Sequence, residues 1–333
     1  MRNAGIAMVT GAVIALLGAG CGGTTTDESA TPGPAGSGSP VASVVQAALV
    51  QHVKVGDLSV GYRVIGPLAT VATGDSTPAD DQMPLLLIMG FSGTMDLWDP
   101  AFVEALAQDK QVILFDNRGI GETDDPMGGY PFAQLADDTA GLIKALGYDS
   151  VDVLGWSMGG DVAIDLAVRH PEAVSQLVSY AGDAGGSLAV MPTAKIMATL
   201  TDTSGTARQR GERLLELLFP PGYRSAHPDY MQTFPIPTEQ AAAAAVGLQA
   251  RAMGEWAGVW GGLKGITCPT LFATGTEDVL TPPQNAGMMA ARVPGSWLMR
   301  FTGAGHGLMY QDPQGFATSV LTFLEVTRSG NEG

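Results

Sequence analysis

Cysteine and basic residues are scarce in this chain of 333 residues. Its two cysteines, Cys21 and Cys268, are too few for a disulfide framework. Lysine and arginine number 17 against 33 acidic residues, which gives a net charge of −16. Because nucleic-acid binding depends on clustered Lys and Arg, this balance argues against a nucleic-acid partner. The 45% of hydrophobic residues can still build a sizeable core, which excludes general disorder.

Charge is also missing from the stretch between Arg2 and Cys21. One early positive residue, an apolar run and small residues before a cleavage point are typical of a signal peptide, here residues 1–20. The sequence LGAGC at 17–21 resembles the cleavage box of bacterial lipoproteins, although Gly18 stands where that family usually has Leu. The resemblance implies export and a lipid anchor on Cys21 as the contact with the cell membrane. Plain secretion with an incidental Cys21, or a short transmembrane anchor, are the alternatives.

A composition typical of a flexible linker follows this N-terminal segment. Residues 22–40 are mainly Gly, Ser, Thr and Pro and offer almost nothing to bury. Periodic hydrophobic patterns begin at about residue 44. We therefore expect a lipidated cysteine and linker over 21–43 and a folded domain over 44–330.

Short apolar runs alternate with helical stretches through this domain. Two strands, 52–55 and 58–64, are expected to pair in antiparallel fashion around Gly56-Asp57. Strands buried on both faces are predicted at 85–89, 111–115, 151–154, 176–180, 270–273 and 297–301. Helices are predicted at 100–108, 132–146, 158–169, 283–292 and 312–327. This alternation predicts an α/β fold with a mainly parallel sheet.

Two segments interrupt the alternation. Residues 67–83 are polar and are expected to form a surface loop. Residues 187–262 are rich in alanine and helix-prone, with proline and glycine between the helical stretches. We interpret this second segment as a helical insertion in the α/β domain.

One predicted strand-to-helix turn contains the pattern G-x-S-x-G, at residues 155–159. A serine on such a sharp turn is exposed to substrate, and the flanking glycines remove side chains that would collide with the neighbouring strand and helix. The pattern predicts Ser157 as a nucleophile, with the Met158 N–H at the positive end of the following helix. A purely structural turn is the alternative.

A serine nucleophile needs a base, and the chain has only four histidines. His52 lies in the first predicted strand, His170 at the end of a helix and His227 in the insertion. His306 lies in a glycine-rich loop after the last strand, and loops at the carboxyl ends of parallel strands are where sites in such sheets form. His306 is therefore the predicted base.

The base in turn needs a carboxylate that orients it. Asp278 follows the penultimate predicted strand by a short loop and is the preferred candidate. Asp183 and Glu277 are the alternatives. The chain order Ser157, Asp278, His306 is nucleophile, acid, base.

These motifs resemble the α/β-hydrolase superfamily over about residues 52–327, in its serine esterase and cofactor-free haloperoxidase-like branch. G-F-S-G at 90–93 and D-N-R-G-I-G-E-T at 116–123 complete the set, although Met89 stands where the family commonly has His. The resemblance implies a mainly parallel eight-stranded sheet flanked by helices, with a helical cap insertion. It also implies an oxyanion hole formed by the N–H groups of Phe91 and Met158.

The expected function is that of a cofactor-free serine hydrolase acting on ester-like bonds of a small-molecule substrate. Lactonases and haloperoxidase-like perhydrolases share the same turn and triad and stay open as alternatives. A non-catalytic lipoprotein that uses the fold for binding is the alternative from another class. Dehalogenase and epoxide hydrolase relatives carry Asp at the position of Ser157. No metal site is expected, since no histidine accompanies the acidic residues Glu122, Asp124 and Asp125 in the sequence.

Overall fold

The computed structural model describes residues 43–67, 83–124, 128–202, 204–239 and 241–329. The predicted signal peptide, Cys21, Asp125 and most of the predicted loop at 67–83 lie outside these ranges. In the described part of the chain, no helix is long and apolar enough to cross a membrane.

The described residues form one eight-stranded sheet in the order β1-β2-β4-β3-β5-β6-β7-β8. Its strands are β1 (Gln51–Val55), β2 (Leu58–Ile65), β3 (Leu85–Ile88), β4 (Val112–Phe115), β5 (Val151–Trp156), β6 (Val174–Tyr180), β7 (Thr270–Gly275) and β8 (Trp297–Phe301). Strand β2 runs antiparallel to β1 and β4, and the other neighbours pair in parallel. The predicted α/β architecture is confirmed.

Burial along the strands explains why the sequence pattern predicted them. Every residue of β3, β4, β5 and β7 is buried, because helices cover both faces of the central sheet. The first two strands form the expected hairpin, with Val55 opposite Leu58 and Gly56 at a φ of 59° in the turn. A positive φ is unstrained for glycine, so the hairpin closes at little cost.

Seven α-helices of the described ranges flank the sheet; five of them begin and end close to their predicted bounds, and two short ones, Val44–Ala47 and Leu308–Gln311, were not predicted. The seven helices are Val44–Ala47, Pro100–Leu106, Ala133–Ala145, Met158–Arg169, Gln284–Ala290, Leu308–Gln311 and Pro313–Ser329. Asp99 caps the second of them by accepting a hydrogen bond of 2.9 Å from the Phe102 N–H. The predicted helix at 312–327 begins at Pro313, since proline fits the first turn of a helix.

The residues between β6 and β7 contain five α-helices in the described ranges, and we call this segment the cap. The helices are Ala194–Thr201, Ala207–Leu218, Pro221–Ala226, Tyr230–Thr233 and Ala243–Glu255. Hydrogen bonds join the cap to the sheet domain: the Gly307 N–H donates to the Leu218 carbonyl at 2.9 Å, and the Thr238 N–H donates to the Asp96 carboxylate at 2.7 Å. Loops beyond the carboxyl ends of the strands therefore lie against the cap.

Candidate active site

Ser157 lies between the end of β5 and the start of the helix Met158–Arg169. Its φ of 56° and ψ of −124° are a strained conformation for a residue other than glycine. The Ser157 N–H donates to the Tyr180 carbonyl at 2.9 Å, and the Ser157 carbonyl accepts from the Gly160 N–H at 2.8 Å. These bonds on both sides hold the turn in the strained conformation that its sequence predicts.

The two glycines of the motif are required by close backbone approach. A Cβ atom at Gly155 would lie 1.9 Å from the Gly159 carbonyl oxygen, and one at Gly159 would lie 2.0 Å from the Ile88 carbonyl oxygen. Both distances are far below van der Waals contact, so neither position accommodates a side chain without backbone movement. The spacing of the motif is thus explained by the packing of the helix against β5 and β3.

His306 and Asp278 meet beyond the ends of β8 and β7. The imidazole Nδ1 and the Asp278 Oδ2 are 2.8 Å apart, and both residues are buried. The other carboxylate oxygen accepts from the N–H groups of Leu280 and Thr281, each at 2.8 Å. Because the carboxylate is held on one side and bonded to Nδ1 on the other, it fixes the ring and directs Nε2 away from itself.

The backbone of His306 is tied to the strand that leads to Ser157. Its carbonyl accepts hydrogen bonds from Trp156 Nε1 at 3.1 Å and from the Tyr180 hydroxyl at 2.5 Å. The rings of Trp156 and His306 are 5.6 Å apart between centroids. Burial raises the pKa of Tyr180 well above its usual value, so this hydroxyl stays protonated and remains a donor. The structure thus places the imidazole beside the residue that precedes the nucleophile.

The alternative acids take other positions. Asp183 is turned to its own loop, where its Oδ1 accepts from the Gly185 N–H at 2.6 Å. Glu277 is exposed to solvent, although it neighbours Asp278 in the sequence. Of the three candidates, Asp278 is the one that the structure pairs with His306.

The other three histidines have partners elsewhere. His52 contacts Glu122 at the β1 edge of the sheet, with Nε2 3.4 Å from the carboxylate. His170 is paired with Asp137 at 2.7 Å, beyond the far end of the helix that begins after Ser157. His227 is exposed and stacks on a tyrosine of the cap. These placements agree with the choice of His306.

The predicted oxyanion loop forms a tight turn against the nucleophile. The Gly93 N–H bonds to the Gly90 carbonyl at 3.3 Å, which closes the turn around Phe91. A Cβ atom at Gly90 would lie only 3.3 Å from the Cβ of Ser157. Met158 is the first residue of its helix, so its N–H has no acceptor within that helix. The backbone carrying both predicted donors therefore adjoins Ser157.

Gln249 contacts this turn from the cap, and no sequence motif predicts the contact. Its Oε1 accepts a hydrogen bond of 2.6 Å from the Ser92 N–H, and the residue is fully buried. The helix Ala243–Glu255 reads AAAVGLQARAMGE, and nothing in this pattern distinguishes the glutamine from a surface position. Ser92 and Gln249 are separated by 157 positions in the sequence, so the contact is seen only in the folded structure.

Two carboxylates near β4, those of Asp116 and Asp124, accept hydrogen bonds from backbone N–H groups. The Glu122 N–H bonds to Asp116, and Asp124 accepts from the Ser59 N–H at 2.8 Å. Among the described residues, no group of three or more His, Cys, Asp or Glu side chains is placed to hold a metal ion.

Asp116 is a buried carboxylate that joins two loops. It accepts hydrogen bonds from the Met95 N–H at 2.6 Å, in the segment after β3, and from the Glu122 N–H at 2.9 Å. Burial nevertheless dominates and raises the pKa of Asp116 from 3.8 to about 7. The folded protein therefore keeps this carboxyl protonated over a range in which the unfolded chain has lost the proton.

This raised pKa predicts a pH-dependent stability. Between the two pKa values, 3.8 and about 7, the folded state binds more protons, so the free energy of unfolding falls as pH rises. The contribution of Asp116 changes by up to about 1.4 kcal/mol per pH unit. Asp116→Asn cannot titrate, so its stability relative to wild type should improve steadily from pH 4 to pH 7 in urea unfolding. Asp109→Asn, at an exposed position, is the control. If the difference in free energy of unfolding from wild type were independent of pH for both variants, the prediction would be wrong.

Comparison with known proteins agrees with the fold. The family model for the alpha/beta hydrolase fold matches residues 83–313. The chain therefore belongs to the α/β-hydrolase fold family, and its class is that of hydrolases.

Individual relatives are distant. A poly(3-hydroxyalkanoate) depolymerase of Ectopseudomonas oleovorans is 29% identical over 247 residues, covering 74% of this chain and 85% of the relative. A thermophilic esterase from Thermogutta terrifontis superposes with a TM-score of 0.67 at 22% identity, covering 84% of this chain and 100% of that one. An enol-lactonase from Burkholderia xenovorans LB400 gives 0.67 at 21% identity, covering 83% and 100%. At this identity the two structures establish similarity of fold.

Proposed function

We propose that the protein is a cofactor-free serine hydrolase that cleaves ester-like bonds of small molecules through an acyl-enzyme. The observation that carries this proposal is the buried His306–Asp278 pair at 2.8 Å, in contact with Trp156, which directly precedes a serine in a strained strand-to-helix turn. Strain and buried polar pairs both reduce stability unless other contacts offset them, and they concentrate at catalytic sites.

The proposed reaction begins with attack of the Ser157 Oγ on the substrate carbonyl carbon. His306 Nε2 accepts the serine proton, while Asp278 stabilises the imidazolium that forms. The N–H groups of Phe91 and Met158 donate to the oxyanion of the tetrahedral intermediate, where one lost donor typically costs roughly 3–4 kcal/mol. The intermediate expels the alcohol, which takes the proton from His306.

Hydrolysis of the acyl-enzyme repeats these steps with water as the nucleophile. His306 accepts a proton from the attacking water and returns it to the Ser157 oxygen as the acid leaves. The name of the Ectopseudomonas relative, a depolymerase of a polyester, supports ester bonds as the substrate class. A lactone is a cyclic ester that passes through the same intermediates, so a substrate panel includes lactones beside linear esters.

The proposal includes export and a lipid anchor on Cys21. The cleavage-box resemblance at 17–21 and the linker composition of 22–40 support it. Each buried methylene of an acyl chain contributes roughly 0.8 kcal/mol to membrane binding, so two chains anchor a protein stably. Mass spectrometry of the mature N-terminus tests this part: a diacylated Cys21 is expected, and an unmodified N-terminus elsewhere contradicts it.

Labelling with a fluorophosphonate probe tests the hydrolase proposal directly. The probe phosphonylates an activated serine, so we expect modification on the peptide that contains Ser157. Ser157→Ala should abolish the label, and His306→Ala should slow it strongly. Ser225→Ala, at an exposed cap serine, should label as wild type does. A folded protein that takes no label at Ser157 would favour the binding-module alternative.

A further inference from the structure

The turn at 90–93 has an unfavourable residue at its critical position. Ser92 adopts a φ of 59°. The Gly93 N–H to Gly90 carbonyl bond makes Ser92 the third residue of the turn, where a positive φ normally selects glycine or asparagine. A serine there relaxes readily to other conformations unless another contact holds it. Any such relaxation would reorient the neighbouring Phe91 N–H.

Gln249 of the cap supplies such a contact. The Ser92 N–H donates to its Oε1 at 2.6 Å. Since an N–H can bond only to the oxygen of the amide, this contact also fixes which amide atom is Nε2. Nε2 is buried and has no hydrogen-bond partner among the described residues.

Packing does not explain a glutamine at this position. A buried amide nitrogen without a partner is destabilising, and methionine has a similar shape without that cost. Gln249 is fully buried, so contact with water does not explain a polar side chain at this position either. What remains is the bond that it makes to the turn beside the nucleophile.

We propose that Gln249 is a positioning residue that holds the oxyanion loop through the Ser92 N–H, in the orientation that the Phe91 N–H needs for catalysis. The inference rests on the proposed hydrolase function and deepens it. It makes the cap part of the catalytic apparatus, because the oxyanion loop is held by a side chain of the helix Ala243–Glu255. The substrate site is then complete only when this helix lies on the loop.

Gln249→Met is the primary test, with turnover of p-nitrophenyl esters as the readout. We expect kcat to fall about 10- to 100-fold, less than the 10²–10³ typical of removing an oxyanion donor outright. KM should change less than threefold, because the loop acts on the transition state rather than on the bound substrate. The melting temperature should change little, since the variant removes an unpaired buried amide nitrogen and also the acceptor of the Ser92 N–H. Arg251→Met, at an exposed position of the same helix, should match wild type.

A second variant separates loop positioning from a general defect. Ser92→Gly removes the conformational cost at residue 92, so the loop no longer depends on the contact with Gln249. Adding Gln249→Met to Ser92→Gly should therefore lower kcat less than threefold, against the larger loss in the wild-type background. The inference would be overturned if Gln249→Met lowered kcat equally in the wild-type and Ser92→Gly backgrounds. It would also be overturned if Gln249→Met alone left kcat unchanged. An inactive wild-type enzyme that takes no fluorophosphonate label would instead reject the proposed function itself.

Discussion

Ser157→Ala should lower the turnover of ester substrates by a factor on the order of 10⁴–10⁶. The reason is that the proposed mechanism uses the Ser157 Oγ as its nucleophile, and alanine offers no group that replaces it. The loss should appear in kcat, because the variant leaves the rest of the proposed site in place. Stopped and steady-state assays with p-nitrophenyl esters of graded chain length measure it.

Ser157→Gly provides a control for folding. The strained φ of 56° is relieved by glycine but not by alanine, so the glycine variant should be the more stable by about 1 kcal/mol while being equally inactive. Ser225→Ala should keep full activity. Turnover that persists at more than about one hundredth of wild type in both variants at residue 157 would exclude the acyl-enzyme mechanism.

The parts of the fold that could be predicted are those encoded locally. Continuous apolar runs predicted the buried strands, because a strand covered on both faces has no polar side. The hairpin at Gly56 and the turn at Ser157 were predicted from short motifs whose steric causes lie within a few residues, as the 1.9 Å approach at Gly155 shows. The apolar patterns predicted all eight strands and the insertion at 187–262, and the family resemblance added the interpretation of that insertion as a cap.

The parts that could not be predicted depend on contacts between distant residues. The Tyr180 hydroxyl and Trp156 Nε1 hold the His306 carbonyl, yet both residues read as ordinary members of buried strands. Gln249 lies in an alanine-rich helix, and the hydrophobic pattern of that helix does not indicate which side faces the turn at Ser92. Such pairs are set by how the cap packs on the sheet, which a periodic pattern in one segment does not encode.

The cap contacts two of the loops that the mechanism uses. Its Leu218 carbonyl accepts the N–H of Gly307, next to His306, and its Gln249 side chain accepts the N–H of Ser92, next to Phe91. A rearrangement of the cap would therefore act on the base and on the oxyanion donor together. Substitutions in the cap should accordingly alter kcat as well as substrate preference, unlike changes confined to a substrate pocket.

Asp278→Asn should lower kcat by about 10⁴. An asparagine can still accept from the N–H groups of Leu280 and Thr281 through its oxygen, so the loop should keep its shape. The amide NH₂ then faces His306 Nδ1 and favours the tautomer that carries its proton on Nε2. That tautomer cannot accept the proton of Ser157, and a neutral amide does not stabilise the imidazolium.

Two matched variants decide the assignment of the acid. Asp183→Asn changes a carboxylate that bonds to its own loop at Gly185, and Glu277→Gln changes an exposed one beside Asp278. Both should lose far less activity than Asp278→Asn, because neither carboxylate is bonded to His306 Nδ1. If Asp183→Asn instead lost about 10⁴ and Asp278→Asn stayed active, the 2.8 Å pair would be structural and Asp183 would be the acid. The variant with the large loss of kcat therefore identifies the carboxylate that orients the His306 imidazole.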